Sequence, residues 1–283
     1  MTISQIAKKV AFALLVVALF PTLAMAQTNR DDRRAAKADR KAKKMDEVNK
    51  MIRAEEEGTI VYNKEWSMGL RLYNDGWGAF YQKGKMKTVT KTNWWSLELG
   101  ERKHPKEEKL SKVDNSGFLF GNPLVYGKQN VFLFTKVGFG QQLLLGGKGN
   151  KNGVAVSAQY GGGLTLGLLK PYYVEAQDPL TGITSSIRFR GDNSRTDTLF
   201  LDPASVQSRS GFFKGFNEAQ IVPGLFARGG FRFDYGRYNE LVSAIQIGVN
   251  MEYYFKEMPI MALNDADKLF VNIYVALEFG RRK

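Results

Sequence analysis

The clearest pattern in this chain is a strict alternation of apolar and polar positions near its C-terminus. Leu269, Val271, Ile273, Val275, Leu277 and Phe279 alternate with Phe270, Asn272, Tyr274, Ala276 and Glu278. Just upstream, Ile245, Ile247, Val249, Met251, Tyr253 and Phe255 interleave with Ala244, Gln246, Gly248, Asn250, Glu252 and Tyr254. Successive side chains of a strand point to opposite faces, so a period of two predicts β-structure. Runs of this length exceed the usual strand of about 5–6 residues and match the roughly 9–11 that a tilted strand needs to cross a bilayer. The same reading predicts eight strands, over 62–74, 77–84, 88–103, 129–142, 152–170, 222–236, 240–256 and 268–280. An even count lets an antiparallel barrel close with both termini on one side.

Residues 152–169 form an uncharged run of 18 that could pass for a membrane helix. Five of them are Gly, which a helix would tolerate poorly. Val154, Val156, Ala158, Tyr160, Leu164, Leu166 and Leu168 hold the bulk at even positions, with polar or small residues opposite. That predicts a long strand kinked at Gly161, Gly162 and Gly163.

Alternation alone does not say which face meets water. A soluble sandwich turns its apolar face inward, whereas a membrane barrel turns it to lipid and its polar face to the lumen. Long strands, aromatics near strand ends (Trp66, Trp77, Trp94, Trp95, Tyr253, Phe279) and a secretory leader favour the barrel. The loops agree. Gly84–Lys87, Gly146–Lys151 and Gly236–Asn239 read as short periplasmic turns, Asp75–Gly76 as one short external turn, and 104–128 and 171–221 as long external loops. Lys136, Arg228, Arg232, Asp234, Asn250, Glu252, Asn272 and Glu278 are then the expected lumen set, pairing into a network because unpaired buried charge is costly. Side chains fill a barrel of this size, so a plugged interior is expected ahead of a conducting channel. In the fifth connection Phe212, Phe213 and Phe216, with Ile221 and Val222, form an expected contact patch that packs on the rim or binds a partner; Leu199, Phe200 and Leu201 form a second.

The N-terminal part reads differently. Lys8 and Lys9 precede an uncharged run from Val10 to Phe20, and Ala24-Met25-Ala26 follows Pro21. This is the form of a signal peptide over 1–26, cleaved after Ala26, and its apolar run is too short to span a membrane. Residues 27–58 make a charged periplasmic segment. From Arg30 to Glu57 there are 10 basic and 8 acidic residues, no Gly and no Pro, with Ala35, Ala38, Ala42, Met45, Val48 and Ile52 at helical spacing. A helix is expected there, either a coiled coil, a docking helix or a solvated leader, ending at Gly58. The barrel takes 59–283.

Composition narrows the chemistry. The 283 residues carry a formal charge of +13, falling to +11 once Lys8 and Lys9 are removed, with one His and no Cys. Thiol nucleophiles, disulfides and thiolate metal sites are excluded, and a His-based zinc site nearly so. Mixed charge in the helix and a secretory route argue against nucleic acid. No cofactor is expected.

Within the barrel, Tyr126-Gly127-Lys128-Gln129-Asn130, Phe139-Gly140, Phe213-Lys214-Gly215-Phe216-Asn217-Glu218, Pro223-Gly224, Phe233-Asp234-Tyr235-Gly236 and Ala276-Leu277-Glu278-Phe279-Gly280 together are similar to a family of small, largely uncharacterised outer-membrane β-barrels of Bacteroidetes-type bacteria. The resemblance covers about 60–283. It implies the fold and the outer membrane but no activity. The chain also resembles the shape class of OmpA, OmpX and OmpW, without the globular peptidoglycan-binding domain of the first.

The sequence thus predicts an all-β fold, an eight-stranded antiparallel transmembrane β-barrel with a charged N-terminal α-helix after a signal peptide. Its expected role is structural or one of interaction, in an envelope or secretion complex. Expected partners are outer-membrane lipid, the barrel-assembly machinery and a protein met through the N-terminal helix or the long external loops. A narrow pore is the first alternative. The second is an outer-leaflet lipid-modifying enzyme, for which only His104 with Ser111, Asp114 and Ser116 offers material. His104 lies among Pro105, Lys106, Glu107, Glu108 and Lys109, which reads as a solvated loop, so no enzyme is expected.

Overall fold

A computed structural model describes residues 37–46, 49, 61–113, 119–148 and 153–283. The signal peptide and Ala26 lie outside the described residues, as does most of the flanking sequence of the charged segment. Within that segment 37–46 form a solvent-exposed helix, α1, as their strong helix formers dictate. The chain divides into two units, 1–56 and 57–283.

The second unit is built on eight long antiparallel strands: β1 (Lys64–Tyr73), β2 (Gly76–Thr88), β3 (Lys91–Arg102), β6 (Asn130–Gly146), β7 (Ala155–Pro171), β11 (Gln220–Asp234), β12 (Leu241–Met258) and β13 (Asp267–Arg282). They form a ring in the order β1-β13-β12-β11-β7-β6-β3-β2, and β1 pairs with β13 from Glu65–Arg282 to Tyr73–Tyr274. The alternation that predicted the strands also sets their faces. In β13, Ile273 is 65% exposed and its neighbour Asn272 only 3%. Stagger round the ring is large. Opposite partners lead from Tyr73 through Tyr274, Gly248, Gly230, Gln159, Gln142, Thr92 and Met86 back to Asn63, the residue just before β1 and ten from the start. Such a stagger requires tilted strands, and eight of them enclose an interior that side chains can fill.

The start of β1 and the end of β13 lie at one end of the ring, where the Lys64 and Lys283 backbones hydrogen-bond. The connections there are short. At the opposite end the chain adds a folded cap. It comprises a hairpin of β4 (Lys109–Val113) and β5 (Leu119–Val125), a three-stranded sheet of β8 (Tyr173–Gln177), β9 (Thr184–Arg188) and β10 (Val206–Arg209), and a short helix α2 (Arg195–Phe200).

Three local expectations change. The turn between β2 and β3 is Val89–Thr90, because the Gly- and Lys-rich stretch read as a turn at Gly84–Lys87 stays in the ladder, with Gly84 opposite Trp94 and Met86 opposite Thr92. Trp94 is not a girdle residue: it is 3% exposed, sharing inward parity with Ser96 and Glu98. Space for its ring comes from glycine. A Cβ on Gly140 would stand 2.4 Å from the Trp94 indole and one on Gly161 2.6 Å, so Gly161 serves ring packing besides any bend. Ile221 and Val222 belong to β11 rather than to the loop, one outward and one inward.

Candidate functional site: the occluded lumen and the loop-end cap

Inward positions of the eight strands carry a continuous set of paired charges. Glu98 on β3 accepts from Arg71 on β1, from Arg228 Nη1 on β11 at 3.2 Å and from the Tyr73 hydroxyl, with Lys136 Nζ on β6 at 3.8 Å. Glu252 on β12 holds Arg102, Lys136 Nζ at 2.5 Å, Asn250 Nδ2 at 2.6 Å and the Tyr254 hydroxyl at 2.8 Å. Arg102 also reaches Asp75 in the β1–β2 turn. Toward the terminal end, Glu278 accepts from Arg232 Nε at 3.0 Å and from Gln246 Nε2 at 2.6 Å. Arg232 bridges on to Glu65 at 3.0 Å, Glu65 to Arg282 at 2.7 Å, and Arg282 to Asp234, which Lys148 Nζ approaches at 3.3 Å. Gln246 joins the two halves, since its Oε1 also receives Arg71 Nη2 at 3.4 Å.

All eight side chains named from the sequence are buried. Lys136, Arg228, Arg232, Asp234, Asn250, Glu252 and Glu278 make the contacts above; Asn272 is buried but leaves Nδ2 without a hydrogen-bond partner. Sequence reading missed Glu65, Arg71, Glu98, Arg102, Lys148 and Arg282. Parity would have found Arg71 and Glu98, because each alternates with outward Leu residues, and Arg102, because it keeps the inward parity of Glu98 two residues beyond Gly100. Lys148, reaching in from the connection after β6, has no such signal.

Cations also stack on aromatic faces. Arg71 lies over Phe80 at 4.3 Å, Lys136 over Phe134 at 4.2 Å and Arg228 over Trp94 at 4.6 Å. These contacts lead into an apolar plug at the cap end: Tyr73, Phe80, Phe132, Phe134, Leu169, Val222, Tyr254 and Tyr274, closed by Met258, Ile260 and Met261. The segment carrying Ile260 is strapped across the mouth, where Gln129 N donates to Ile260 O and Ala262 N to Gly127 O, both at 2.8 Å. The lumen is therefore filled by ion pairs and the Trp94 and Phe226 rings through its middle and by an aromatic cluster at the mouth.

The cap has its own core, in which Leu124, Val131, Tyr172, Val174, Ala176, Ile187, Phe200 and Val206 are buried. The expected second patch turns inward: Phe200 is buried, and Leu199 and Leu201 pack against the same core. Phe212, Phe213 and Phe216 stay outside. Phe213 is 83% exposed, and the three rings contact one another with centroids 5.5 to 6.4 Å apart.

His104 is a loop staple. Its backbone N donates to Glu107 Oε1 at 3.0 Å, and its Nδ1 accepts from Lys106 N at 3.2 Å. Asp114 and Ser116 lie outside the described residues, as does the Ser111 side chain. Among the described residues, no group of three His, Asp or Glu side chains could hold a metal ion.

No protein-family model and no curated protein matches the chain, so the family suggested by the short motifs is not shown. Among solved structures the chain is similar to the N-terminal β-barrel domain of Pseudomonas aeruginosa OprF, at 10% identity over 77% of this chain and 98% of that one, with a TM-score of 0.36. Neisserial surface protein A matches at 8% identity over 78% and 94%, with a TM-score of 0.35. A major outer membrane protein from Thermus thermophilus matches at 12% identity over 77% and 100%, with a TM-score of 0.37.

Proposed function

We propose that the protein is an integral outer-membrane β-barrel with a structural or interaction role, and that it presents its folded cap outside the cell with both termini in the periplasm. The observation that carries this reading is the inverted wall. Each of the eight strands sets a large apolar side chain outward and exposed, Leu70, Trp77, Leu99, Val137, Leu164, Leu225, Val249 and Ile273 among them, while its charges are buried inside. Burying apolar area is the main stabiliser of folds in water, so such a wall needs an apolar surrounding. The height fits as well. From Leu269 to Phe279 is about 33 Å of strand at roughly 3.3 Å per residue, or about 25 Å of height at a tilt near 40°, the size of a bilayer's apolar band. Exposed aromatics flank it, with Trp95, Tyr160 and Phe279 toward the terminal end and Tyr253 and Phe255 toward the cap.

The plugged lumen favours a structural or interaction role over a pore. Placing Arg on a lipid-facing position at the midplane costs about 2–4 kcal/mol. Val275→Arg is expected to deplete the protein from the outer membrane and to abolish heat-modifiable migration on gels. Wild-type levels of folded Val275→Arg would overturn the membrane-facing assignment. In planar bilayers the folded protein is expected to give no steady conductance, and a stable unitary current would replace the structural reading with the pore.

A further inference from the structure

On the outer flank of the wall, under the cap, lies a pocket of about 170 Å³ that takes no part in the lumen. Its floor is the cap-end rim of three neighbouring strands. Glu101, Val131 and Lys170 line it. They continue the outward rows of Leu99 on β3, Leu133 on β6 and Leu168 on β7, with Glu101 paired to Leu133 and Val131 to Lys170 across the ladder. The roof is the cap itself, through Tyr172, Tyr173, Arg209, Ser210, Phe212 and Lys214.

The lining is strongly basic. Lys103, Lys109, Lys128, Lys170, Arg209 and Lys214 face only Glu101 and Glu107, and Glu107 is taken by Lys128 at 2.8 Å. Among the described residues none of the other five cations is in a salt bridge. Lys170 is 4% exposed, donates to the Phe212 carbonyl oxygen and lies 4.3 and 4.9 Å from the Phe212 and Phe216 rings. Arg209 Nε is buried without a hydrogen-bond partner. Gathering unpaired cations in a partly desolvated pocket costs free energy that an anion placed among them would recover. Lysines together with an arginine fork suit the oxygens of a phosphate.

We infer that this pocket holds the phosphate of an outer-leaflet lipid. The anion source follows from the direction in which the pocket's floor continues. Directly below the cations, the same outward rows turn into the apolar face of Leu99, Leu133 and Leu168, where acyl chains of a lipid seated by its phosphate would lie. A dissolved anion has no use for that continuation. The inference rests on the membrane placement proposed above.

The test uses the full protein folded in dodecyl maltoside, with ligand binding read by native mass spectrometry. The probes are lipid A carrying its phosphates, the same lipid after enzymatic dephosphorylation, and inorganic phosphate. Phosphorylated lipid A is expected to bind about tenfold more tightly than the dephosphorylated form, and combining Lys103→Ala with Lys214→Ala to weaken it by about the same factor, as charge-assisted contacts would require. Arg209→Gln, which keeps much of the side chain's bulk, is expected to weaken it as well. Equal binding of the dephosphorylated lipid, or undiminished binding by both variants, overturns the site. Displacement of lipid A by an equal concentration of inorganic phosphate overturns the lipid as the source. Heat-modifiable migration is recorded in parallel. Its absence in the wild type refutes the membrane barrel, whereas a heat-modifiable protein without phosphate selectivity refutes only the pocket.

Discussion

The lumen and the cap are stabilised in opposite ways. In the lumen, charged groups are inside, Glu65, Glu98, Asp234 and Glu252 are each shared by two or more cations, and the largest apolar cluster gathers at the mouth. Glu98 and Glu252 each sit among several donors, so the interior is held by mutual satisfaction of groups that would be costly alone. In the cap, a compact apolar cluster around Phe200 and Val206 holds the unit together, as in a small soluble domain, and the buried Asp197 carboxylate is met by the backbone N–H groups of Arg190 and Asp192. On the membrane placement proposed above, the difference is one of surroundings. A wall that gives its apolar side to lipid has only its polar side left to fill the middle, and pairing is what makes that filling affordable. A cap standing in water can hide its apolar side chains beneath a polar surface.

That contrast predicts where single substitutions act. The largest effect is expected for Glu252→Leu. It removes the partner of both Arg102 and Lys136 in a site where Glu252 is fully buried, and breaking a buried pair costs about 3–5 kcal/mol. Arg102 retains Asp75 and Lys136 a longer contact to Glu98, which places the loss at the lower end of that range. Urea unfolding followed by gel migration should show a clearly lower midpoint. An unchanged midpoint would mean that the lumen charges are solvated and that the pairing is incidental.

Phe200→Ala is the matching probe in the cap. A buried Phe replaced by Ala costs about 3–5 kcal/mol of whatever unit it stabilises. That unit is expected to be the cap alone, so protease should cut within 172–219 while the barrel remains heat-modifiable. Simultaneous loss of the barrel would show that cap and wall fold as one cooperative unit and erase the distinction between them.

Sequence reading succeeded where one local rule decides position. In the strands, period-two parity assigns every residue a side, which is why Asn250, Glu252, Asn272 and Glu278 could be placed inward from their neighbours alone. At Trp94 ring type and parity conflict, and the inward neighbours Ser96 and Glu98 carry the better signal. Ladder ends were less legible. Gly84–Lys87 has turn composition, yet cross-strand pairing with Trp94 and Thr92 outweighs it. The cap was the least legible. Its core unites Leu124 and Val131 with Phe200 and Val206, residues far apart in the chain with no common period. Nothing local in Leu199-Phe200-Leu201 distinguishes an exposed patch from a buried plug. The basic pocket lay equally hidden, since its cations come from β4, β7, β10 and the loops next to β3, β6 and β10.

The smallest expected effect lies at the cap's surface, where charge pairing is weakest. Asp178 accepts from Leu180 N at 2.9 Å and from Arg195 Nη2 at 2.8 and 2.7 Å. The Leu180 backbone N–H, followed by Arg195, holds its carboxyl below the ordinary carboxylate value. A carboxyl whose folded value lies below its unfolded one contributes stability above the unfolded value of about 3.9, and loses that contribution as pH falls through the folded one. Amide exchange in 178–183 should therefore quicken relative to the rest of the cap between about pH 5 and the acid limit of about pH 3, after correction for the intrinsic rate. Asp178→Asn should remove most of that difference while leaving the cap folded at neutral pH, because an exposed pair of this kind contributes little and is screened by salt. If Asp178→Asn instead loosened the whole cap at neutral pH, the cap would depend on surface pairing as the lumen depends on buried pairing. The opposition between the two regions would then not hold.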